Sequence, residues 1–437
     1  HGDRDARQRR KAALDRTHRL LDHRHQRFGM AAIHRPALGR HGLRRAGRHD
    51  ANRAGAHGRV DGENHRANTH ITAGNVTPIS TLNLFDRNHV RQEMGHQVCR
   101  IGQVPEGNHV HPEYEQNRVE YIGIPLKRTN TNPFKELGVI REARSALSKA
   151  GVRSLIIYGI RTFPSMVIAA KLSGVKQVLC IVNGTGRLFR IRGARGFALR
   201  LVSFPLLWFA FLLSNHVIFQ NKDDLRLVRR KGLLWRSNYS IVNGSGVNLE
   251  RFSVVGLPSE PAFTMIARLT GSKGVNEYVR AAVEVRKQHP EAQFYLVGPM
   301  DNDDRSVDIE LLRDATNKGI VMMVGEVDDV RPYIEKTRVF VLPSYHEGTP
   351  RAVLEAMAMG RPIITTDAPG CRETVEEGIN GFKVPVSDVR SLVDRIIWMI
   401  ENPDAVEEMG RNSRRICEKK YDVHKINSVI IERLGVK

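Results

Sequence analysis

In this sequence, short β-branched, apolar runs recur, each followed by a stretch with helical spacing. FTMIARLT (263–270), QFYLVG (293–298), GIVMMVG (319–325), RVFVL (338–342) and PIITTD (362–367) read as buried strands. NEYVRAAVEVRKQHP, IELLRDAT and VDDVRPYIEKT lie among them and read as helices. Strands alternating with helices imply a parallel, doubly wound sheet. The rhythm also runs through the earlier half, in VEYIGIP, SLIIY, KQVLCIV and NHVIFQN. At 437 residues, the chain is long enough for two or three domains.

One loop in this pattern stands out, in Ser344-Tyr345-His346-Glu347-Gly348-Thr349-Pro350-Arg351 and on to Glu355. A buried strand precedes it, and Ala352, Val353, Ala356 and Met357 recur at helical spacing after it. Thr349 is a good N-cap residue, and Pro350 suits the first helical position. The loop is expected to present Glu347 at its tip, with free backbone N–H groups at Gly348 and Thr349. A helix N-terminus after a parallel strand attracts anions, and open α/β sheets bind ligands at the carboxyl ends of their strands. Glu347 and Glu355 are eight residues apart. Along a helix that is a rise of roughly 12 Å, beyond the ~5–9.5 Å of a glycosidase carboxylate pair. The two carboxylates are expected to hold different parts of one long ligand. The plainer alternative makes Glu347 a loop carboxylate and Glu355 a helix-surface residue.

The charge is uneven. Residues 1–100 carry 19 Arg and one Lys against nine acids, a net of +11 out of the chain's +21. Residues 1 to 75 are dominated by Arg, His, Gly and Ala, with almost no β-branched residues. Such a composition offers too little apolar surface to offset chain entropy, and predicts a disordered or non-native segment. It also lacks the apolar core of a signal peptide. An Arg-rich tail attracts nucleic acid or anionic lipid, but no finger spacing or aromatic interleaving makes a specific nucleic-acid site. The four cysteines (Cys99, Cys180, Cys371, Cys417) have no metal or redox spacing, which favours structural thiols in a reducing compartment.

The stretch RLFRIRGARGFALRLVSFPLLWFAFLLSNHVIF joins five arginines (187, 190, 192, 195 and 200) to an apolar run from Leu201 to Leu213. Thirteen residues are too few to span a bilayer, which needs about 20. Two readings stay open: a core helix, or a basic and aromatic surface dipping into an anionic leaflet.

HEGTPRAVLEAMAMGRPIITTDAPGCRETVEEGINGFKVPV, with Glu-x7-Glu followed by Gly360-Arg361-Pro362 and Asn380-Gly381-Phe382, resembles the donor-site signature of family 4 retaining glycosyltransferases. The wording is similar to bacterial enzymes that extend glycans on a polyprenyl-diphosphate carrier. The resemblance covers about 350 residues. It implies the GT-B fold, two Rossmann-like domains facing a cleft. The domains are expected at 76–250 (acceptor side) and 257–420 (nucleotide-sugar donor side), with a crossover helix at 421–437. The family opens with an apolar first strand. Here ITAGNVTPIS stands in that place, and Pro78 puts the strand in doubt.

The resemblance further implies that Glu347 holds sugar hydroxyls and Glu355 the ribose. Arg268, Lys273 and the N–H groups of Gly348 and Thr349 would stabilise the departing diphosphate. Gly298, Gly325 and Val327 would contact the nucleotide. No catalytic histidine is carried over, because the Asn183–Gly186 loop contains none. No cofactor or metal is implied: the nucleotide-sugar, UDP-linked by preference, is a substrate. The implied acceptor is a lipid-linked saccharide, and the implied location is the cytoplasmic face of the membrane, with peripheral contact to anionic lipid and no specific nucleic acid. The alternative is a catalytically defective nucleotide-sugar-binding protein with a damaged acceptor domain.

Overall fold

The computed structural model describes residues 69–74, 97–103, 120–124 and 133–435, apart from 186, 190–192, 236–237 and 302–305. The expectation for residues 1 to 68 therefore lies outside the described residues, as does LNLFDRNHVRQEM (82–94), whose sequence reads as a helix. Everything below lies in the compact unit Asn64–Lys437.

The first lobe is built on seven strands: β1 (Thr69–Gly74), β2 (Gln97–Gln103), β3 (Glu120–Ile124), β4 (Val152–Tyr158), β5 (Gln177–Val182), β6 (His216–Phe219) and β7 (Tyr239–Ile241). Their order is β3-β2-β1-β4-β5-β6-β7, and every pair is parallel. Its helices are α1 (Pro133–Lys149), α2 (Phe163–Leu172), α3 (Gly193–Leu213) and α4 (Lys222–Arg230).

The doubted first strand exists. β1 pairs with β2 on one side and β4 on the other, in the middle of the sheet. It spans Thr69–Gly74 and so falls inside the stretch 1–75 set apart on composition. Pro78 lies beyond its end, so no ladder hydrogen bond is lost to it. Composition averaged over 75 residues hid a six-residue strand at their edge.

The second lobe has six strands: β8 (Ala262–Ile266), β9 (Gln293–Val297), β10 (Val321–Gly325), β11 (Val339–Leu342), β12 (Ile363–Thr366) and β13 (Gly381–Val384). The order is β10-β9-β8-β11-β12-β13, again all parallel. Its helices are α5 (Val275–Gln288), α6 (Ile309–Asn317), α7 (Arg331–Glu335), α8 (Arg351–Ala358), α9 (Val389–Glu401) and α10 (Pro403–Lys420). RETVEEG, whose sequence reads as a short helix, forms only one 3-10 turn, Arg372–Thr374. Asn380 competes for that backbone: it accepts from the Glu376 N–H and donates to the Thr374 carbonyl.

β8, β11 and β12 are buried along their whole length, which is why they read as unbroken apolar runs rather than alternating ones. One long polar side chain sits in this core. Arg361 is fully buried, and its guanidinium donates to the carbonyls of Ile334, Val255, Gly256 and Glu335. Burial lowers its pKa to about 10. The side chain ties α7 and the segment entering β8 to the start of β12. Cys180, Cys371 and Cys417 are buried and free.

The last helix, α11 (Val423–Leu434), returns to the first lobe. Ile426, Ile430 and Leu434 pack with Ile156, Tyr158, Leu179 and Ile181 of β4 and β5. The apolar run at 201–213 belongs to the 21-residue α3, which passes through Pro205. By length and composition, the segment Gly196–Leu213 is apolar enough to cross a membrane. However, the helix starts and ends in one sheet, between β5 and β6. Leu207, Ala210 and Phe211 lie in the lobe's core, with Phe211 edge-on to Phe163 of α2. Its other side is exposed at Phe197 (67%), Leu201 (67%), Val202, Leu206 and Phe209. One face of the helix is thus the core helix of the first reading, and the opposite face is exposed. Arg190 and Arg192 lie outside the described residues.

Candidate active site

In the second sheet, the order in which successive strands are laid down reverses between β8 and its neighbour β11, while all strands stay parallel. The loops leaving these strands diverge and open a crevice at their carboxyl ends. A cavity of about 390 Å³ occupies it. Arg268 and Lys273 reach it from the β8 loop, Glu347 from the β11 loop, and Arg351 and Glu355 from α8. Val327, Asp328, Asp329 and Val330 close one side, after β10. Arg251 and Phe252, from the segment joining the lobes, close another.

Charges in the cavity are paired. Lys273 Nζ forms an ion pair with Glu347 Oε1, and both side chains are mostly shielded from solvent, at 23% and 13% exposure. Glu355 accepts from Arg351 Nε at 2.8 Å, one helical turn away. Glu355 is buried rather than a surface residue. Burial raises its carboxyl pKa, with Arg351 pulling the other way. Arg268 is half exposed and lies 3.3 Å from Asp301 Oδ2. Asp329 is held below the usual carboxylate range by Arg331, which donates to both of its oxygens.

Two glycines set the spacing behind the cavity. Gly298 has φ 134°, and a Cβ there would lie 1.9 Å from the Ala267 carbonyl oxygen. Its N–H donates to the Gly325 carbonyl at 2.7 Å. Only glycine lets the ends of β8, β9 and β10 come this close. Of the nucleotide-contact candidates, Val327 lines the cavity, while Gly298 and Gly325 lie beside it.

The local reading of the β11 loop needs correction. The N-cap of α8 is Pro350, with no side-chain cap bond. Thr349, read as the cap, instead donates its hydroxyl to the carbonyls of Gly348 and of Gln220, across the cleft. Glu347 therefore stands outside α8, which begins at Arg351, so a helical rise does not measure its separation from Glu355. Gly348 and Thr349 are absent from the cavity lining. Their contacts run to the first lobe.

There the sequence reading missed a constellation. Asp224, buried at the start of α4, accepts from His346 Nε2 at 3.1 Å, from Thr185 Oγ1 at 2.8 Å and from Asn221 Nδ2 at 2.8 Å. Asn221 Nδ2 also donates to the Gly348 carbonyl at 2.9 Å. No motif marks Asp224. The only local signal is Asn221-Lys222-Asp223-Asp224, an acidic helix start behind a good N-cap. His346 comes to this constellation from the second lobe. Arg251, Asp328, Asp329 and Arg351 also went unremarked, because their roles depend on which loops converge. Among the described residues, no group of three or more His, Cys, Asp or Glu stands together as a metal site.

Comparison with known proteins agrees with this geometry. Residues 260–402 match the family model described as Glycosyl transferases group 1. The chain is 27% identical over 309 residues to N,N'-diacetylbacillosaminyl-diphospho-undecaprenol alpha-1,3-N-acetylgalactosaminyltransferase of Campylobacter jejuni, covering 68% of this chain and 80% of that one. It is 23% identical over 329 residues to the Escherichia coli UDP-Gal:alpha-D-GlcNAc-diphosphoundecaprenol alpha-1,3-galactosyltransferase, covering 72% and 83%. Among solved structures, Anabaena HepE in complex with UDP-glucose superposes with a TM-score of 0.66 at 17% identity, over 84% of this chain and 99% of that one. Sucrose-phosphate synthase from Thermosynechococcus elongatus gives 0.66 at 18% identity, over 83% and 98%. These neighbours share the GT-B scaffold.

Proposed function

We propose that this chain, a glycosyltransferase with a group 1 domain on a GT-B scaffold, is a retaining enzyme of the family 4 type that moves a sugar from a UDP-sugar to a polyprenyl-diphosphate-linked saccharide. The observation that carries the reading is the convergence of Arg268, Lys273, Glu347 and Glu355 on one cavity at the switch point of the second sheet. Glu355 accepts hydrogen bonds from the ribose hydroxyls. Glu347 holds sugar hydroxyls near the anomeric carbon. Lys273 and Arg268 stabilise the negative charge that builds on the diphosphate as its bond to the sugar breaks. The N–H groups of Gly348 and Thr349 are assigned a lesser part, since that loop segment is committed to the first lobe. Gly298, Gly325 and Val327 shape the side that takes the uracil ring.

The acceptor hydroxyl attacks on the face the UDP leaves, forms the new bond to the anomeric carbon, and passes its proton to the departing diphosphate. No side chain is assigned as a covalent nucleophile. The names of the two curated relatives, which specify undecaprenol-diphosphate-linked acceptors, support a lipid-linked saccharide, and UDP donors are named for the Escherichia coli relative and the Anabaena structure. The exposed apolar face of α3 supports peripheral docking at the cytoplasmic membrane face. α3 starts after the carboxyl end of β5, on the cleft side, and presents Phe197, Leu201 and Val202 there.

The test is UDP release from a panel of UDP-sugars with membrane-extracted lipid acceptor, for the parent chain and for Glu347→Gln. Acceptor-dependent release that collapses in the variant supports the reading. UDP binding with no turnover on any sugar contradicts it.

A further inference from the structure

The β11 loop carries Glu347 on one side and is bonded to the opposite lobe on the other. His346, immediately before Glu347, reaches Asp224. Gly348, immediately after it, gives its carbonyl to Asn221 Nδ2, and Thr349 donates to the Gln220 carbonyl. A second bridge runs parallel: Arg372 pairs with Asp223 of α4 and, at 2.7 Å, with Asp367 of its own lobe. The fit is tight enough that a Cβ on Gly348 would lie 2.4 Å from the Asn183 carbonyl oxygen.

Asp224 is at the centre of this contact. It is 1% exposed and cannot be left without partners at that depth. Three donors surround its oxygens: Thr185 and Asn221 from its own lobe, and His346 from the other. Its N–H is held by Asn221 Oδ1, the N-cap of α4, at 2.7 Å. Burial alone would raise its carboxyl, but the hydrogen bonds from His346, Asn221 and Thr185 hold it below the ordinary value. An ionised carboxylate only accepts, so His346 Nε2 is the donor.

We infer that Asp224 and His346 are positioning residues, a latch between the lobes that fixes the Glu347 loop over the donor cavity when the cleft is closed. The inference rests on the glycosyltransferase reading for its kinetic part and on geometry alone for its conformational part. The cavity residues come from the second lobe and from the segment that joins the lobes, and none is a latch residue of the first lobe. Nucleotide binding and latch formation are therefore separable. Breaking the latch leaves the nucleotide site intact and removes the alignment of Glu347 with an acceptor held by the first lobe.

The test uses the full chain and three substitutions. His346→Ala removes the donor, and His346→Gln restores an amide donor of similar reach. Gly348→Ala is permitted by its own backbone and obstructed by Asn183 and Gln220, both of the opposite lobe. Each is read in three ways: UDP affinity by calorimetry, turnover at saturating donor, and the distance between fluorophores on Lys231→Cys and Glu401→Cys, exposed positions in opposite lobes. For His346→Ala and Gly348→Ala we expect turnover to fall about tenfold or more, the scale of one hydrogen bond to a charged group. UDP affinity should be unchanged in His346→Ala, and the distance distribution should shift to longer values in both variants. His346→Gln should recover most of the turnover and the short distance. Parallel loss of UDP affinity and turnover in His346→Ala would overturn the latch, because His346 would then be part of the nucleotide site. Unchanged distances in His346→Ala would overturn it too, even if the parent transferred no sugar to any acceptor. That second failure would count against the proposed function alone, since the distance measurement stands without it.

Discussion

Lys273 and Glu347 make opposite demands on the same ligand, which allows a paired test. Lys273 is 23% exposed and bonded to Glu347, its ion-pair partner in the cavity. A diphosphate brought into the cavity is a second anion for the same ammonium. At an effective dielectric near 20, a unit charge pair about 4 Å apart interacts by about 4 kcal/mol, much of it offset by desolvation. What survives as a net hydrogen bond to a charged group is about 1.5–3 kcal/mol. Lys273→Ala should therefore weaken UDP binding about 10- to 150-fold. Glu347→Gln removes the competing carboxylate and leaves the lysine free. Its UDP affinity should equal or exceed the parent's, while acceptor-dependent turnover falls about 100-fold or more, as when a preorganised charge-stabilising group is lost. Calorimetric titration with UDP, alongside turnover, measures both. If Glu347→Gln weakens UDP as much as Lys273→Ala does, the pair is a structural bridge and the assigned roles are wrong. If Lys273→Ala binds UDP as the parent does, the diphosphate lies elsewhere.

Further outcomes follow from burial and exposure. Burial raises the Glu355 carboxyl, so the folded state binds a proton between its ordinary value of 4.5 and the raised one. The fold thus loses stability as pH rises through that interval, and Glu355→Gln removes that contribution. Thermal unfolding across mildly acidic to neutral pH should show the variant gaining on the parent as pH rises, and a constant difference would count against the assignment. Arg361→Met strips donors from four backbone carbonyls, that of Ile334 buried, and should cost about 1–3 kcal/mol in a denaturant titration, the scale of a buried acceptor left unsatisfied. On α3, Phe197→Ser with Leu201→Ser should leave the melting temperature unchanged, because both side chains are two-thirds exposed. The same pair should reduce co-sedimentation with anionic vesicles, and equal sedimentation would remove α3 from the membrane reading.

The second lobe was legible almost strand by strand, because a parallel sheet covered on both faces writes its strands as unbroken apolar runs. Val339–Leu342 and Ile363–Thr366 are such runs. That Arg268, Lys273, Glu347 and Glu355 gather on one cavity was expected from the resemblance to a known donor-site signature, and agrees with the gathering of ligand groups at the carboxyl ends of strands. β1 was not legible, since THITAG is short, carries few apolar residues, and sits beside an Arg- and His-rich stretch. Only its pairing with β2 and β4 makes it a strand. The α8 cap was misplaced because Thr349 has two uses for its hydroxyl, and the contact to Gln220 wins over a local cap. Asp224 and His346 are 122 residues apart. Nothing in either neighbourhood announces the other, and the pair exists only once the two lobes are brought together.

The most direct measurement follows the sugar itself. The chain is incubated with a UDP-sugar labelled at the anomeric carbon and a polyprenyl-diphosphate-linked acceptor. The organic-extractable product is then analysed by NMR. We expect label in the lipid fraction, joined through a new glycosidic bond of the same anomeric configuration as in the donor. Label that stays in the aqueous phase as free sugar, or a bond of inverted configuration, would contradict a retaining transfer to a lipid-linked acceptor.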